Sequence, residues 1–381
     1  MKLFQRLLVA PAALGLLAPI TAKANEVNLN DISNYSEVEN IEFANSFDNN
    51  QLTKSTLLAG GEGLVDDSSH DGSFSSTTSA SFSVDMAIGA VDGNTVSEAV
   101  TTAYGYQMDL STSFTGEDTL AVAIDAGDGS AGNSLTELDL NDTGDGLTVD
   151  GITYSFPIGE KLTVLVGDST SGSALYSTAC VYGGFTNTLD DCGNFTSAFV
   201  ATGHDDSAGF SASYDIGNGF TGAIGYQGQG ARAAGLGTDL GVDYYGGQLT
   251  YTGDSYGASV TYANVDTQTA WGLNGYYTFD SSLPSVSAGY EFTENEGATL
   301  DDTQWFVGLQ WDEMGPGTLG IAAGNKGPQR DQGIEEMAYE AFYAYSVNDS
   351  MTITPAVYVL ENNLAGEIDE TGIVVKTSFS F

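Results

Sequence analysis

The chain has 381 residues, with 51 Asp and Glu against 9 Lys and Arg, and a formal net charge of -42. This excess of negative charge argues against nucleic acid and anionic lipid headgroups as partners. It is compatible with adaptation to a salty environment, in which exposed charges are screened, or with a polar passage that concentrates cations. No central apolar run reaches the roughly 20 residues that a transmembrane helix needs.

The first 24 residues predict a secretory signal peptide. Lys2 and Arg6 precede an apolar run, residues 7–20, and the segment ends on the small-residue pattern Ala22-Lys23-Ala24. Residues 25–71 are polar and acidic and show no sustained period of 2 or 3.6. This composition predicts a flexible periplasmic lead-in, since it offers too little apolar surface to offset the entropy of ordering.

From residue 72 onward the apolar side chains recur with period 2, which predicts β-strands. In the first strand Phe82, Val84 and Met86 share one face, while serines and Asp85 occupy the other. An even number of strands is typical of single-chain outer-membrane barrels. The alternation predicts about sixteen strands, at residues 73–88, 100–110, 120–125, 147–156, 161–168, 207–215, 219–227, 243–252, 256–264, 270–279, 284–293, 303–312, 316–324, 337–346, 350–360 and 371–381.

The connections between these strands support a barrel. Short turns alternate with longer, mostly acidic loops, and aromatic side chains cluster near strand ends on one parity, as the interfacial girdles of an outer-membrane barrel require. The alternative is a secreted β-sandwich, which needs neither aromatic belts nor an even count. The sequence therefore predicts an all-β fold, a transmembrane antiparallel β-barrel over residues 72–381.

The last strand carries a second signal. From the C-terminus inward, Phe381, Phe379, Thr377, Val375 and Ile373 alternate with residues that suit water, and the chain stops on an aromatic. This ending resembles the C-terminal signature that the barrel assembly machinery reads. Phe381 and Phe379 are thus the predicted assembly signal.

Five segments, in order along the chain, carry a family resemblance: MKLFQRLLVAPAALGLLAP, NEVNLNDISNYS, SFSSTTSASFSVDMAIGAVDG, YQMDLSTSFTGEDTLAVAIDAG and TGIVVKTSFSF. They resemble the cyanobacterial outer-membrane porins of the carbohydrate-selective porin family, often called iron uptake porins. The resemblance implies passive diffusion of small hydrophilic solutes, iron or carbohydrate through homotrimers in the outer membrane, with no catalytic residue and no cofactor. Family members usually carry an S-layer homology domain before the barrel, but residues 25–71 are too few for a typical independent domain. Anchoring to peptidoglycan is therefore doubtful.

The longest loop, residues 169–206, is the candidate constriction, by resemblance to the loop that narrows the lumen of general porins. It contains Cys180 and Cys192, the only two cysteines. Because both follow an export signal, we expect a disulfide, which would stabilise the closed loop by roughly 3 kcal/mol. Metal binding by the two thiolates, with His204 nearby, is the weaker alternative.

Several acidic residues occupy the alternate strand positions that are predicted to face the lumen, and others lie in or beside the long loop. Together they predict a negative pore that favours cations. A few basic residues are expected to face them across the lumen. Ordinary solvated charge is the alternative for each residue taken singly. The acidic set is Asp85, Asp109, Asp125, Asp168, Asp190, Asp191, Asp205, Asp206 and Glu340, and the basic set is Arg232, Lys326 and Arg330.

Other chemistry has little support. Residues 139–146, DLNDTGDG, resemble part of a calcium loop but lack the distal bidentate Glu, so we interpret them as an acidic external loop and predict no metal site. No acid–base pair stands out, and neither His70 nor His204 lies near a nucleophile motif, so no enzyme is predicted. The alternative function is a non-conducting surface barrel or sandwich with a structural or adhesive role.

Overall fold

The computed structural model describes residues 77–129, 132–190, 192, 207–229, 235–238, 241–265, 268–280, 282–296, 301–327, 329–330, 335–363 and 368–381. The predicted signal peptide and lead-in lie outside these residues. Among the described residues, none of the helical segments has the length and apolar character required to span a bilayer.

The described chain is almost entirely β-structure, and the strands fall where the alternation predicts them. The largest shift is in the first strand, predicted at 73–88 and observed at Thr78–Asp92. The strands are β1 Thr78–Asp92, β2 Thr101–Thr112, β3 Thr119–Gly127, β4 Thr148–Ile158, β5 Leu162–Asp168, β6 Ser207–Gly217, β7 Phe220–Gln229, β8 Asp243–Thr252, β9 Tyr256–Val265, β10 Gln268–Tyr277, β11 Ser285–Asn295, β12 Asp302–Met314, β13 Gly317–Asn325, β14 Gln329–Arg330, β15 Met337–Asn348, β16 Met351–Leu360 and β17 Glu370–Ser380.

Sixteen long strands form one closed sheet in which each pairs antiparallel with its neighbours along the chain. The two-residue β14 pairs with the start of β12, where Asp302 lies opposite Arg330. The barrel closes where β1 pairs with β17, from Ser83 opposite Ser380 to Asp92 opposite Thr371. This closure confirms the predicted sixteen-strand barrel, because a sandwich would consist of two sheets.

The C-terminal residue takes part in the closure. Phe381 exchanges two backbone hydrogen bonds with Phe82, of 2.8 and 3.0 Å, and their rings stack with centroids 5.7 Å apart. The terminal aromatic thus extends the seam between the first and last strands by one pair.

The two faces of the sheet differ as a membrane barrel requires. On β1 the outward Met86 and Ile88 are 54% and 51% exposed, whereas Ala87 between them is 4% exposed. Large apolar side chains such as Leu273 and Val307 are likewise exposed on the outer face of other strands. This inverts the pattern of a soluble protein and suits an apolar surrounding medium.

The apolar core lies inside the barrel, where two loops pack against the inner wall. One is the β3–β4 connection, which contains the short 3-10 helix Thr136–Leu138. The other is the β5–β6 connection. The buried cluster combines Leu135, Leu138, Leu140, Tyr182, Phe185 and Leu189 of these loops with inward residues of the wall such as Val91, Phe306, Phe342, Tyr358 and Val374.

Candidate functional site

The β5–β6 connection enters the barrel and follows its inner wall. We call its described part, residues 169–190 and Cys192, the inserted loop. Its backbone N–H groups donate to inward polar side chains of six successive or nearly successive strands, β6 to β9, β11 and β12, at 2.7 to 3.2 Å. The pairs are Gly172 with Gln227, Leu175 with Ser211, Ser177 with Gln248, Ala179 with Ser259, Val181 and Tyr182 with Ser287, and Gly183 with Gln310.

Glycines in the wall allow the loop to come this close. A Cβ added at Gly209 would lie 2.7 Å from the carbonyl oxygen of Thr170, and one at Gly308 would lie 2.6 Å from the Tyr182 ring. A Cβ at Gly225 would collide with the Gly172 carbonyl oxygen. The loop backbone therefore rests directly on the sheet at Gly209 and Gly225, and the Tyr182 ring does so at Gly308.

One carboxylate, that of Glu340 on β15, holds the far end of the inserted loop. Its Oε1 accepts hydrogen bonds from the Tyr182 hydroxyl at 2.7 Å and the Phe185 N–H at 3.0 Å. Its Oε2 accepts from the N–H and Oγ1 of Thr186 at 2.8 and 2.6 Å. Glu340 is 3% exposed. It points inward as its parity predicts, but it lies beneath the loop and acts as a loop anchor.

Aromatic side chains pack around the residues that bind Glu340. Tyr182 packs against Phe306 and Phe342, with centroids 5.5 and 6.1 Å apart. Phe185 stacks on Phe342 at 6.1 Å. Burial, and then the nearby carboxylate of Glu340, raise the pKa of the Tyr182 hydroxyl, so this group stays neutral and donates a hydrogen bond to Glu340.

The tip of the inserted loop is tied to itself and to the other internal loop. Cys180 and Cys192 are joined by a disulfide, with Cα atoms 6.5 Å apart. Glu137 of the 3-10 helix accepts from the Thr188 hydroxyl through its side chain and from the Asn187 N–H through its backbone, both at 2.8 Å. Burial raises the pKa of Glu137. The two internal loops therefore form one connected layer.

A second part of the inner wall carries the lumen-parity aspartates. Asp85, Asp109 and Asp125 lie on the inner faces of β1, β2 and β3, and all three are half-buried. Ser81 and Ser83 on the same face of β1 are exposed. Cross-strand pairing places Gln107 opposite both Ser83 and Asp125, so the three carboxylates share one continuous patch. We call the patch of inner-wall residues formed by Ser81, Ser83, Asp85, Gln107, Asp109 and Asp125 the open sector, and the inner faces of β6 to β15 the covered sector.

The other predicted pore residues are more scattered. Asp168 ends β5 opposite Ile152, on the face that carries the outward Val166, and it is exposed. Asp190 is half-buried in the inserted loop. Lys326 follows β13 and donates to Asn362 Oδ1, and Arg330 lies in β14. Asp191, Asp205, Asp206 and Arg232 lie outside the described residues, as does His204.

Sequence reasoning missed two groups of residues. One is the set of inward Ser and Gln side chains that receive the inserted loop, whose only sequence signal is inward parity. The other is Lys376, which lies on the inner face of β17 with its Nζ 5.4 Å from the centroid of the Phe185 ring. Its parity placed it on the water side of the last strand, but nothing in the sequence showed that it meets the inserted loop.

The prediction of an external loop at residues 139–146 is wrong for its first part, because Leu140 is buried in the core inside the barrel. The acidic residues of this connection are paired with one another and with β2. Asp128 forms a β-bridge with Asp142, and its side chain accepts from the Tyr104 N–H at 2.6 Å. Asp145 accepts from the Tyr104 hydroxyl at 2.8 Å. Across the described ranges of the chain, no group of three or more His, Cys, Asp and Glu side chains is arranged to hold a metal ion.

A hollow of about 530 Å³ lies on the other side of the wall, largely among outward residues of β5 to β10 such as Tyr214, Ile224, Leu249, Tyr262 and Trp271. Its lining is apolar and it is separated from the lumen by the sheet. It therefore belongs to the surface that faces the surrounding medium and not to the candidate passage.

The closed sixteen-strand antiparallel barrel matches the structures of known porins. No family model matches the chain, and no curated protein does. Among solved structures the chain is similar to OprB of Pseudomonas putida, determined at high pH, with a TM-score of 0.62 and 12% identity over 80% of this chain and 94% of that one. A mutant porin of Rh. blastica gives a TM-score of 0.52 and 15% identity over 80% of this chain and all of the other. At such identities the similarity concerns the fold.

Proposed function

We propose that this chain is an outer-membrane porin that passes small hydrophilic solutes and ions by passive diffusion. The observation that carries the proposal is the division of the inner wall. A fixed loop covers one side of the lumen, while the other side presents half-buried carboxylates beside exposed serines. Such a passage requires no catalytic group and no cofactor.

The charge of the open sector supports a preference for cations. Asp85, Asp109 and Asp125 lie on neighbouring strands, so their potentials add and concentrate cations at the wall. Asp191, Asp205, Asp206 and Arg232 of the sequence-based set remain candidates for the same field, as do Asp190, Lys326 and Arg330, whereas Asp168 lies on the outward face of β5.

The finer identity of the solute rests on the sequence resemblance. The resemblance to cyanobacterial outer-membrane porins supports iron or carbohydrate as the natural cargo, export by a cleaved signal peptide, insertion by the barrel assembly machinery and assembly as a homotrimer. The outer surface, with its exposed apolar side chains, fits both lipid and neighbouring subunits.

One observation favours a second candidate, a non-conducting barrel with a structural role. The two internal loops and the aromatic side chains around Phe306 and Phe342 fill part of the lumen with buried apolar groups. If the described loops together closed the passage, the barrel would carry no current.

Single-channel recording tests these alternatives. The purified, refolded mature protein is inserted into a planar bilayer, and the reversal potential is measured across a tenfold KCl gradient, with heat-denatured protein as the control. Steady openings with cation preference support the proposal. Openings with anion preference contradict its electrostatic part, and silence from a folded barrel supports the structural role.

A further inference from the structure

Lys376 is the only basic residue within a long strand in the described part of the chain. The structure describes four Lys and Arg residues: Lys161 lies in the β4–β5 turn, Lys326 follows β13, Arg330 lies in the two-residue β14, and Lys376 lies in β17. On the inner face of β17, Lys376 sits between Val374, which is buried, and Ser378. Within the long strands that the structure describes, the inner wall thus carries one Lys among acidic side chains.

The position of this charge is fixed by the inserted loop. Its Nζ lies over the ring of Phe185, 5.4 Å from the centroid, in a cation–π contact. Phe185 is 5% exposed, its backbone N–H donates to Glu340, and its ring stacks on that of Phe342. Because the ring cannot move freely, the ammonium group is held where the inserted loop meets the open sector.

The neighbours of Lys376 on the wall set its electrostatic role. In the sheet it lies opposite Thr354 on β16 and Ala87 on β1. Asp85 lies two residues from Ala87 on the same face and is therefore the diagonal neighbour of Lys376. The Cα atoms of such a pair are roughly 7 to 8 Å apart. Asp109 and Asp125 follow on β2 and β3. The charge thus stands at the edge of the acidic patch, on the side of the loop.

We propose that Lys376 is a selectivity-determining residue that limits the cation preference of the pore. Its charge lowers the concentration of cations beside Asp85. Its ammonium group is also the one positive group within the described long strands that an anion in the lumen can contact. The inference rests on the proposed porin function and names a residue that sets its ion selectivity. The effect is local, because charges separated by more than a Debye length of about 10 Å are screened at 0.1 M salt.

The test compares Lys376→Gln with the wild type in the planar bilayer at 0.1 M KCl on the dilute side. With screening at 0.1 M salt, removing one unit charge about 7 Å from the ion path raises the local cation concentration about 1.6-fold and lowers the anion concentration by the same factor. The cation-to-anion permeability ratio is expected to rise about threefold in Lys376→Gln and to stay at the wild-type value in Lys376→Arg. Lys161→Gln is the matched control, since it removes the same charge from an exposed turn and is expected to change nothing.

A second variant guards against loss of packing. Lys376→Met keeps an unbranched chain over Phe185, so it is expected to fold and to show the same rise. An unchanged permeability ratio in folded Lys376→Gln or Lys376→Met would overturn the inference while leaving the porin function intact. A wild-type barrel without any current would overturn both.

Discussion

The covered and open sectors of the inner wall are built from the same inward parity of the same kind of strand, yet their polar side chains do different work. In the covered sector, Ser211, Ser259 and Gln248 are buried and accept hydrogen bonds from loop N–H groups. In the open sector, Asp85 and Asp109 are half-buried and face the passage. In these two sets, the inward polar groups are therefore partners of a protein backbone in one sector and sources of an electrostatic field in the other.

The same contrast divides the acidic residues. Glu340 is a carboxylate whose four acceptor contacts are used by the inserted loop. The aspartates of the open sector have fewer protein partners: Asp125 accepts from the Thr148 hydroxyl, and Asp109 from the Gln107 side chain. We expect substitution of Glu340 to change the structure of the pore, and substitution of the aspartates to change its charge.

The largest effect is expected from Glu340→Ala. The change leaves the donors of Tyr182, Phe185 and Thr186 without their buried acceptor, at a cost of roughly 3 kcal/mol in the free energy of unfolding. The freed loop is expected to make single-channel conductance larger and noisier. Urea unfolding and planar-bilayer recording measure the two effects. Asp109→Ala is the control, with a change within about 0.5 kcal/mol, and equal behaviour of the two variants would remove the distinction between the sectors.

A steric prediction addresses the covered sector alone. Gly225→Ala adds a methyl group that collides with the Gly172 carbonyl oxygen, so the start of the inserted loop must move off the wall. Overpacking of this kind costs roughly 1 to 3 kcal/mol. Gly222→Ala on the outer face of the same strand is the matched control, because the nearest atom to its Cβ is the Ile216 side chain at 3.5 Å.

The readout for this pair is conductance together with urea unfolding. Gly225→Ala is expected to lower stability and alter conductance, whereas Gly222→Ala leaves both near the wild-type values. If the two alanine variants had the same conductance and stability, the close approach of the loop to the wall would not affect either property.

The barrel was predictable from the sequence because a sheet that separates lipid from water imposes strict alternation. Each strand needed only its own period of 2, and the closing strand needed only its terminal Phe381. The two-residue β14 escaped because a bridge of that length carries no periodic signal. Strand ends also shifted, as in β1, because the alternation does not show where pairing stops.

The candidate site was less predictable, since parity gives the face of a side chain but not what lies over it. Glu340 and Asp85 both point to the inner face and carry the same charge, and only the path of the inserted loop distinguishes them. That path depends on contacts between residues far apart in the chain, such as Thr186 with Glu340 and Ala179 with Ser259. Lys376 was overlooked as a pore charge for the same reason.

The open sector is tested by neutralising its carboxylates together, in Asp85→Asn, Asp109→Asn and Asp125→Asn. Each lost charge reduces the local cation concentration about 1.6-fold when it lies about 7 Å from the ion path at 0.1 M salt. The reversal potential is expected to shift toward zero, while stability and the open-state noise stay near the wild-type values.

The control for the triple variant carries the same change in net charge. Asp254, Asp280 and Asp349 are exposed in short turns outside the strands. Their joint substitution by Asn is expected to leave the reversal potential unchanged. A similar shift in both triple variants would mean that selectivity follows the total charge of the protein and not the open sector.

The smallest effect concerns Asp118, which organises the turn before β3, away from both sectors. Its Oδ2 accepts from the Tyr154 hydroxyl at 2.6 Å, and its Oδ1 accepts from Ser113 and Thr115. The bond from Tyr154 above all, with those from Thr115 and Ser113, lowers the pKa of Asp118 well below its usual range. Because the folded pKa is depressed, its stabilisation is fully present above about pH 4 and is lost as the pH falls through the folded value.

Urea unfolding of the wild type and Asp118→Asn from pH 7 to pH 2 checks this. The wild type is expected to be the more stable at pH 7, and the difference is expected to shrink below about pH 4. Conductance and reversal potential at pH 7 should be the same in both, since the turn touches neither the inserted loop nor the acidic patch. A change of selectivity in Asp118→Asn would show that carboxylates in the turns also contribute to the field of the pore. The distinction between carboxylates that stabilise the fold and carboxylates that set selectivity would then be wrong.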